Sequence, residues 1–182
     1  LEFGCGLSTV CDKFSDFSKI KIPMDLMYSS EIPNNVSAIL LGSGFGRNQQ
    51  NMDMAWDFIK QFSCNDKCSF VFDADIFYYQ KLPLLLEELK NQQVILTPHP
   101  KELFYLLKLY DIKVDSVEEV IQNRFEFCKL FSEKNPNCVL VSKGAITYIC
   151  HQNQIFICDV GSVALAKAGS GDVLAGIIAG IL

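Results

Sequence analysis

The segment Ala168-Gly169-Ser170-Gly171-Asp172 places two glycines and a carboxylate immediately before an apolar run. That run predicts a helix beginning at Gly171-Asp172. The first N–H groups of a helix lack intrahelical acceptors, and the macrodipole adds partial positive charge there, so such a terminus binds phosphate. A carboxylate at its mouth can take a proton from a hydroxyl that attacks the phosphate. We therefore predict an anion site with Asp172 as its candidate base.

A simpler interpretation of the same residues is that Asp172 only caps the helix, because aspartate is a preferred capping residue. The doubled glycine favours the anion site. Glycine carries a cost in backbone entropy that a simple cap does not require, and it leaves consecutive N–H groups unobstructed.

A second glycine turn, Gly42-Ser43-Gly44-Phe45-Gly46, follows a predicted strand. Glycines at that position let a ligand approach the backbone closely. The turn lacks the full dinucleotide fingerprint and the lysine of a P-loop, so an ordinary tight turn remains the alternative.

Three further polar segments also follow predicted strands. Thr97-Pro98-His99-Pro100 holds one of only two histidines in a loop stiffened by prolines, and a solvent-facing loop histidine is the alternative. Lys143-Gly144-Ala145-Ile146-Thr147 offers an ammonium suited to a nucleotide phosphate, or else the shoulder of a hairpin. Asp73 could orient a hydroxyl or a hydrated magnesium ion, whereas Asp75 could cap the next element.

Hydrophobic patterning predicts the elements that position these residues. Short apolar runs are typical of buried strands, and amphipathic stretches between them predict helices. The predicted strands are Ala38–Leu41, Ser69–Phe72, Val94–Thr97 and Val139–Ser142. The predicted helices are Met52–Phe62, Pro83–Lys90, Glu102–Tyr110 and Val117–Glu133, the last of these the longest.

This alternation predicts an α/β fold with a mostly parallel sheet covered by helices on both faces. Thr147–Cys150 and Ile155–Asp159, joined by residues 151–154, predict an antiparallel hairpin at the sheet edge. The final run, Val173–Leu182, is too short to span a bilayer, and its small residues suit a buried helix. Ligands of open α/β sheets bind beyond the carboxyl ends of the strands, which is where the candidate segments lie.

The composition is that of an ordinary globular protein: 182 residues, 49% hydrophobic, 20% charged, with net charge −5. The negative charge argues against a general affinity for nucleic acids or anionic membranes. We interpret the eight cysteines as reduced core residues of a cytoplasmic protein. Cys64 and Cys68 have the spacing of a zinc half-site, but no second pair accompanies them, so we predict no metal site.

Five motifs follow one another along the chain: Gly-Ser-Gly-Phe-Gly, Asp-Ala-Asp, Thr-Pro-His-Pro-x-Glu, Lys-Gly-Ala-x-Thr and Ala-Gly-Ser-Gly-Asp. In this order they resemble the motifs of the ADP/ATP-dependent NAD(P)H-hydrate dehydratases. These are a branch of the ribokinase-like superfamily. The resemblance covers nearly the whole chain. It implies a ribokinase-like three-layer α/β/α domain over residues 1–182, cut at both ends. The chain departs from the family pattern at Lys101, where glycine is usual, and at Ser162, where asparagine is usual.

The resemblance also implies a reaction. ADP or ATP, carried with Mg²⁺, phosphorylates the ring hydroxyl of hydrated NADH or NADPH (NADHX, NADPHX), and phosphate then leaves. By this resemblance, Asp172 is the catalytic base and contacts the substrate, which Gly44, Gly46 and His99 also contact. The residues implied to bind the nucleotide are Lys143, Gly144, Ala145, Ile146, Thr147 and Gly171. Those implied to form the anion hole are Ala168, Gly169, Ser170 and Gly171.

Two other functions remain open at this point. The same base and anion hole would serve a small-molecule kinase of the superfamily acting on a vitamin precursor, and the departures leave room for a non-catalytic nucleotide-binding module. The resemblance further implies a homo-oligomer, a tetramer in the family, and an epimerase domain that is often fused upstream.

Overall fold

The structure, a computed structural model, describes residues 7–11, 26–63 and 67–182. Within them strands and helices alternate along the chain. The strands are β1 Thr9–Cys11, β2 Met27–Ser29, β3 Ala38–Leu41, β4 Ser69–Phe72, β5 Val94–Leu96, β6 Cys138–Ser142, β7 Thr147–His151 and β8 Gln154–Cys158. The α-helices are α1 Gln49–Ile59, α2 Leu82–Glu88, α3 Pro100–Leu109, α4 Val117–Gln122, α5 Arg124–Lys134 and α6 Ser170–Ile181. Short 3₁₀ helices cover Lys60–Phe62, Ala74–Tyr78 and Val163–Leu165.

A six-stranded sheet in the order β3-β4-β5-β6-β7-β8 organises these elements. Strands β3 to β6 run parallel, so their carboxyl ends meet at one edge. Strands β7 and β8 are antiparallel to their neighbours and form the predicted hairpin. Strands β1 and β2 pair in parallel with each other in a separate two-stranded sheet that the sequence patterns did not predict.

The sheet is packed on both faces because successive side chains of a strand point to opposite sides. In β4, Phe70 and Phe72 join the large core formed with the helices α1 to α5. Val71 points the other way and packs with Ile95, Val141 and Ala175 of α6. The helices therefore cover both faces, and the predicted three-layer architecture is confirmed.

Several predicted boundaries differ from the structure by one to three residues, and two differences affect the connections between elements. The helix predicted over Val117–Glu133 is two helices, α4 and α5, which meet at Asn123. Asn123 leaves the helical region with φ −114° and ψ 28°, and this break places Arg124 in the first turn of α5. The hairpin turn comprises only Gln152 and Asn153, whose positive φ values of 47° and 66° suit a tight two-residue turn.

The prediction that the last run forms a buried helix was wrong in part. Ala175 is the one residue of α6 that is fully buried, whereas Val173 and Ile181 are 62% and 71% exposed. Only one side of α6 packs on the sheet, against β3 and β4, so the rest of its apolar surface faces outward. Among the described residues, no helix has both the length and the hydropathy to cross a membrane.

The cysteines follow the prediction only in part. Cys68, Cys128, Cys138 and Cys150 are free and buried in the core. Cys158 is exposed because it ends β8, the edge strand of the sheet. Cys64, the other half of the potential zinc pair, lies outside the described residues.

Candidate active site

The carboxyl ends of the parallel strands bring four of the candidate segments together around Lys143. This lysine follows β6, and its backbone N–H donates a hydrogen bond of 2.9 Å to the carbonyl of Pro98. Its ammonium lies 2.6 Å from Oδ1 of Asp73, which follows β4. Thr97, which follows β5, donates its hydroxyl to the same Oδ1 at 2.7 Å. Since Asp73 is buried, Lys143 and Thr97 neutralise and solvate a carboxylate that would otherwise be costly to bury.

The amino-terminus of α6 lies beside this cluster. A methyl group built on Gly171 would lie 3.2 Å from Nζ of Lys143 and 4.0 Å from Oδ2 of Asp73. An ammonium therefore sits directly against the second residue of the helix. A side chain at position 171 would crowd that ammonium, and this accounts sterically for the glycine at this position.

The first turn of α6 leaves backbone donors available. The capping residue is Gly169, with a left-handed φ of 86°, and no side chain caps the helix. Ser170 donates its N–H to the carbonyl of Lys167 at 3.2 Å, so that amide is already engaged. For Ala168, Gly169 and Gly171, the described part of the chain supplies no backbone acceptor. Three of the four predicted anion-hole amides therefore have no backbone partner within the described residues.

Asp172 is not the cap that the simpler interpretation required. It is the third residue of α6, and its side chain is exposed. Within the described residues its carboxylate makes no hydrogen bond or ion pair. The helix end therefore carries unengaged amides, a nearby ammonium and a solvent-facing carboxylate, which together could hold a phosphoryl group and accept a proton.

His99 caps the amino-terminus of α3 rather than pointing freely into solvent. Its Nδ1 accepts hydrogen bonds from the backbone N–H groups of Lys101 and Glu102, at 3.1 and 3.2 Å. Glu102 completes a reciprocal capping box, because its Oε2 accepts the N–H of His99 at 2.8 Å. Lys101, one of the departures from the family pattern, fits the first turn without a positive φ.

Burial and neighbouring charges shift the pKa values of both side chains. Burial and the nearby Lys143 ammonium lower the pKa of His99 below its usual value. Because Nδ1 accepts hydrogen bonds, the remaining hydrogen of the neutral ring lies on Nε2, which is 3.1 Å from Oε1 of Glu102. Burial raises the pKa of Glu102 to about 7, and this outweighs the opposing effect of the hydrogen bond from His99. Nearly half of the His99 side chain remains exposed to a ligand.

The glycine turn after β3 is bound to the segment after β4. Gly42 has a φ of 124°, and a methyl group there would overlap the carbonyl of Asp73. Gly44 and Gly46 also have positive φ values, 76° and 69°, with open space around them. The N–H of Gly46 donates to Oδ2 of Asp75 at 2.9 Å, so Asp75 holds this turn instead of capping the next element.

Residues 143–147 form the connection between β6 and β7, and Gly144, Ala145 and Ile146 are exposed. A residue that the sequence patterns did not single out holds this connection. Arg124 donates Nη1 to the carbonyl of Lys143 at 2.9 Å and Nη2 to that of Ile146. No signal in the sequence marked it, because the contact joins residues 19 positions apart across two elements.

Comparison with known proteins identifies the family. The sequence model of the NAD(P)H-hydrate dehydratases matches residues 1–182. The chain belongs to the NAD(P)H-hydrate dehydratase family. It is 42% identical over 182 residues to the bifunctional NAD(P)H-hydrate repair enzyme Nnr of Helicobacter pylori, of which it covers 36%. It is 25% identical over 150 residues to the ATP-dependent (S)-NAD(P)H-hydrate dehydratase of Ajellomyces capsulatus, with 82% of this chain and 40% of that protein covered.

Solved structures agree with the fold of this dehydratase-family chain. It resembles SMU.573 of Streptococcus mutans with a TM-score of 0.70 and 25% identity, over 98% of this chain and 63% of that one. It also resembles a ribokinase-like protein of Enterococcus faecalis with a TM-score of 0.61 and 22% identity, over 86% and 53% of the two chains. The latter likeness concerns the fold alone. The chain spans about a third of the length of its Helicobacter relative.

Proposed function

We propose that this chain catalyses the nucleotide-dependent dehydration of hydrated NADH and NADPH. Membership of the dehydratase family supports the proposal. The structural observation that carries it is the placement of the Lys143 ammonium against Gly171, at a helix end whose amides remain available beside the exposed Asp172.

In the proposed first step, Asp172 accepts the proton of the ring hydroxyl as its oxygen attacks the terminal phosphorus of the nucleotide. The amides of Ala168, Gly169 and Gly171, together with Lys143, stabilise the charge on the transferring phosphoryl group. The bond from phosphorus to the bridging oxygen of the nucleotide breaks. A poor leaving group, hydroxide, has then become a phosphate ester.

In the second step the carbon–oxygen bond of the ester breaks, assisted by the lone pair of the ring nitrogen. Phosphate leaves, and loss of a ring proton restores the reduced nicotinamide. With ADP as the donor the products are AMP, phosphate and NADH or NADPH. We propose ADP as the donor, and since the fungal relative is named ATP-dependent, both nucleotides belong in the test.

We propose that Mg²⁺ arrives with the nucleotide and is held by its phosphates. Asp73 was the candidate carboxylate for a hydrated magnesium ion, but its Oδ1 already accepts from Lys143 and Thr97. We therefore assign no protein ligand to the ion. Residues Lys143 to Thr147 and Gly171 would contact the nucleotide.

We place the hydrated nicotinamide on the side of Gly44, Gly46 and His99. The open space around the two glycines would allow close approach to the backbone. His99, neutral and partly exposed, would offer a ring edge without adding a positive charge.

The deciding experiment compares substrates for the full-length protein. We expect ADP or ATP, with Mg²⁺, to restore the absorbance of reduced nicotinamide from NADH hydrate. A hydroxymethylpyrimidine or thiazole alcohol, offered under the same conditions, should not be phosphorylated. Phosphorylation of such an alcohol with the hydrate left untouched would instead establish a vitamin-precursor kinase, and nucleotide binding without either reaction would establish a binding module.

The remaining proposals concern the whole protein. The Helicobacter relative is a bifunctional repair enzyme, and this chain matches only part of it. We propose that an epimerase domain precedes this chain, that the protein is a homo-oligomer and that it acts in the cytoplasm. Size-exclusion chromatography with light scattering of the full-length protein tests the oligomeric state.

A further inference from the structure

Arg124 bridges two carbonyls of the 143–147 turn. From the first residue of α5, its guanidinium donates to the carbonyl of Lys143 at 2.9 Å and to that of Ile146. These carbonyls flank Gly144 and Ala145, so one side chain spans the part of the turn that would receive the nucleotide. The planar fork of arginine suits this task because its donors have a fixed spacing, which a lysine ammonium lacks.

The guanidinium also contacts an aromatic ring. The guanidinium carbon lies 5.0 Å from the ring centre of Tyr148, on β7. The Tyr148 ring is in turn held edge-on by Phe125, at 5.8 Å between ring centres. The guanidinium of Arg124 is therefore held against β7 before any ligand binds.

Gly144 is matched to this arginine. A methyl group built on Gly144 would overlap the guanidinium, and its φ lies outside the left-handed region. The backbone φ does not itself require glycine here, so the reason for glycine is the space that the guanidinium occupies. This is unlike Gly42 or Gly169, whose positive φ values favour glycine by themselves.

With this bridge, both backbone polar groups of Lys143 are hydrogen-bonded. Its N–H is bound to the carbonyl of Pro98, and its carbonyl is bound to Arg124. Without Arg124 only the first of these bonds would remain. The turn would then have to be ordered when the nucleotide binds, which weakens binding.

We propose that Arg124 is a positioning residue for the nucleotide, acting with Gly144 to hold the 143–147 turn in its binding conformation. Arg124 does not itself touch the nucleotide. The inference rests on the proposed function only in assigning the turn to the nucleotide.

The test uses the full-length protein with Arg124→Ala, Arg124→Lys, Gly144→Ala and the double variant Arg124→Ala/Gly144→Ala. Lys129→Ala, an exposed position on the same helix, is the matched control. Calorimetry gives the Kd of ADP and ATP, and initial rates give KM and kcat. For Arg124→Ala we expect the nucleotide Kd and KM to rise about 10- to 100-fold, equivalent to about 1.4 to 2.8 kcal/mol. The KM for the hydrate should change by less than about threefold. The kcat should fall by less than the nucleotide Kd rises, because the Lys143 ammonium keeps its ion pair with Asp73.

Two further results separate positioning from a general loss of packing. Added guanidinium ion should restore part of the nucleotide affinity of Arg124→Ala, whereas an equal concentration of ammonium should not. Gly144→Ala should also weaken nucleotide binding about tenfold, yet add little in the Arg124→Ala background, because the group it collides with is gone. Additive effects of the two substitutions would overturn the proposal, as would a Kd for Arg124→Ala equal to that of the wild type.

Arg124→Lys serves if Arg124→Ala fails to fold, because it keeps most of the aliphatic stem and the positive charge. Its Kd should rise about fivefold, since one ammonium cannot span both carbonyls, and an unchanged Kd contradicts the inference. Failure of the proposed function gives a different pattern: the hydrate is not converted, while Arg124 still controls the Kd of the nucleotide. A wild-type protein that binds neither ADP nor ATP overturns both.

Discussion

At the scale of single residues, Lys143 connects several segments of the candidate site. Its ammonium neutralises the buried Asp73 and lies against Gly171 at the start of α6. One lysine thus serves two tasks: it stabilises the fold by pairing a buried carboxylate, and it offers positive charge to a ligand. Removing it should therefore impair stability as well as binding.

We expect Lys143→Met to lower the free energy of unfolding by about 2 to 4 kcal/mol, because it leaves the carboxylate of Asp73 buried without its partner. Asp73→Asn in the same background should recover much of the loss, since the amide oxygen can still accept from Thr97. Urea unfolding measures both. A free energy of unfolding for Lys143→Met within about 0.5 kcal/mol of the wild-type value, the effect of an ordinary surface substitution, would show that the ion pair has no structural role.

Glu102 should make stability depend on pH. Its pKa is about 7 in the folded protein and near 4.5 when unfolded. Between these values the unfolded state loses the proton while the folded state keeps it, so stability falls as pH rises and levels off above about pH 7. Glu102→Gln should abolish this fall and be the more stable protein at pH 8, by about 2 kcal/mol.

Glu118→Gln, on the exposed side of α4, is the control for that titration. It should leave the pH profile of stability unchanged. Parallel pH profiles for Glu102→Gln and the wild type would show that Glu102 titrates normally in the folded protein, contrary to the burial seen here.

At the scale of elements, the glycine turn after β3 depends on how closely it approaches the segment after β4. Gly42 and Gly44 both have positive φ, but only Gly42 lies against the carbonyl of Asp73. Gly44→Ala should cost about 1 to 2 kcal/mol, the price of the left-handed backbone alone. Gly42→Ala should cost about 3 kcal/mol or more, because a backbone atom must also move. Thermal or urea unfolding of the two variants measures both losses of stability. Equal losses would contradict the close approach of Gly42 to the carbonyl of Asp73.

The sequence predicted most of these elements because their signals are local. Apolar runs placed β3 and β4 at their observed bounds, and two apolar segments around polar residues placed the edge hairpin. The role of Arg124 escaped prediction because it depends on contacts with residues far along the chain. The break at Asn123 is a change of φ and ψ at one residue, which the apolar pattern does not mark. Strands β1 and β2 have only three residues each, too few to show an alternating pattern.

The candidate site was predictable to a similar extent. Its glycines and charged residues could be found from the strands they follow, because the ends of parallel strands converge. The pairing of Lys143 with Asp73, the capping role of His99 and the hydrogen bond that engages the Ser170 amide could not. Each depends on side-chain geometry or on a single turn of backbone, which composition and periodicity do not encode.

At the scale of the whole molecule, the free energy of nucleotide binding should add to that of folding. A ligand that binds only the folded state at 100 times its Kd stabilises it by about 2.7 kcal/mol. We expect ADP with Mg²⁺ at that concentration to raise the urea midpoint accordingly. Adenosine at the same concentration should have a much smaller effect, because it lacks the phosphates that Lys143 and the start of α6 would hold. An equal effect of adenosine would show that the phosphates contribute little to binding, contrary to the proposed site.

The proposed reaction depends most directly on the carboxylate of Asp172 acting beside a phosphoryl group held at the start of α6. The measurement is the rate of NADH-hydrate dehydration by Asp172→Asn in the full-length protein, with the Kd of ADP and ATP measured alongside. Asp115→Asn, an exposed carboxylate before α4, serves as the control. We predict that Asp172→Asn lowers kcat by about 10²- to 10⁴-fold while the nucleotide Kd changes by less than about threefold. A kcat within a factor of a few of the wild type would contradict the role of Asp172 as the base.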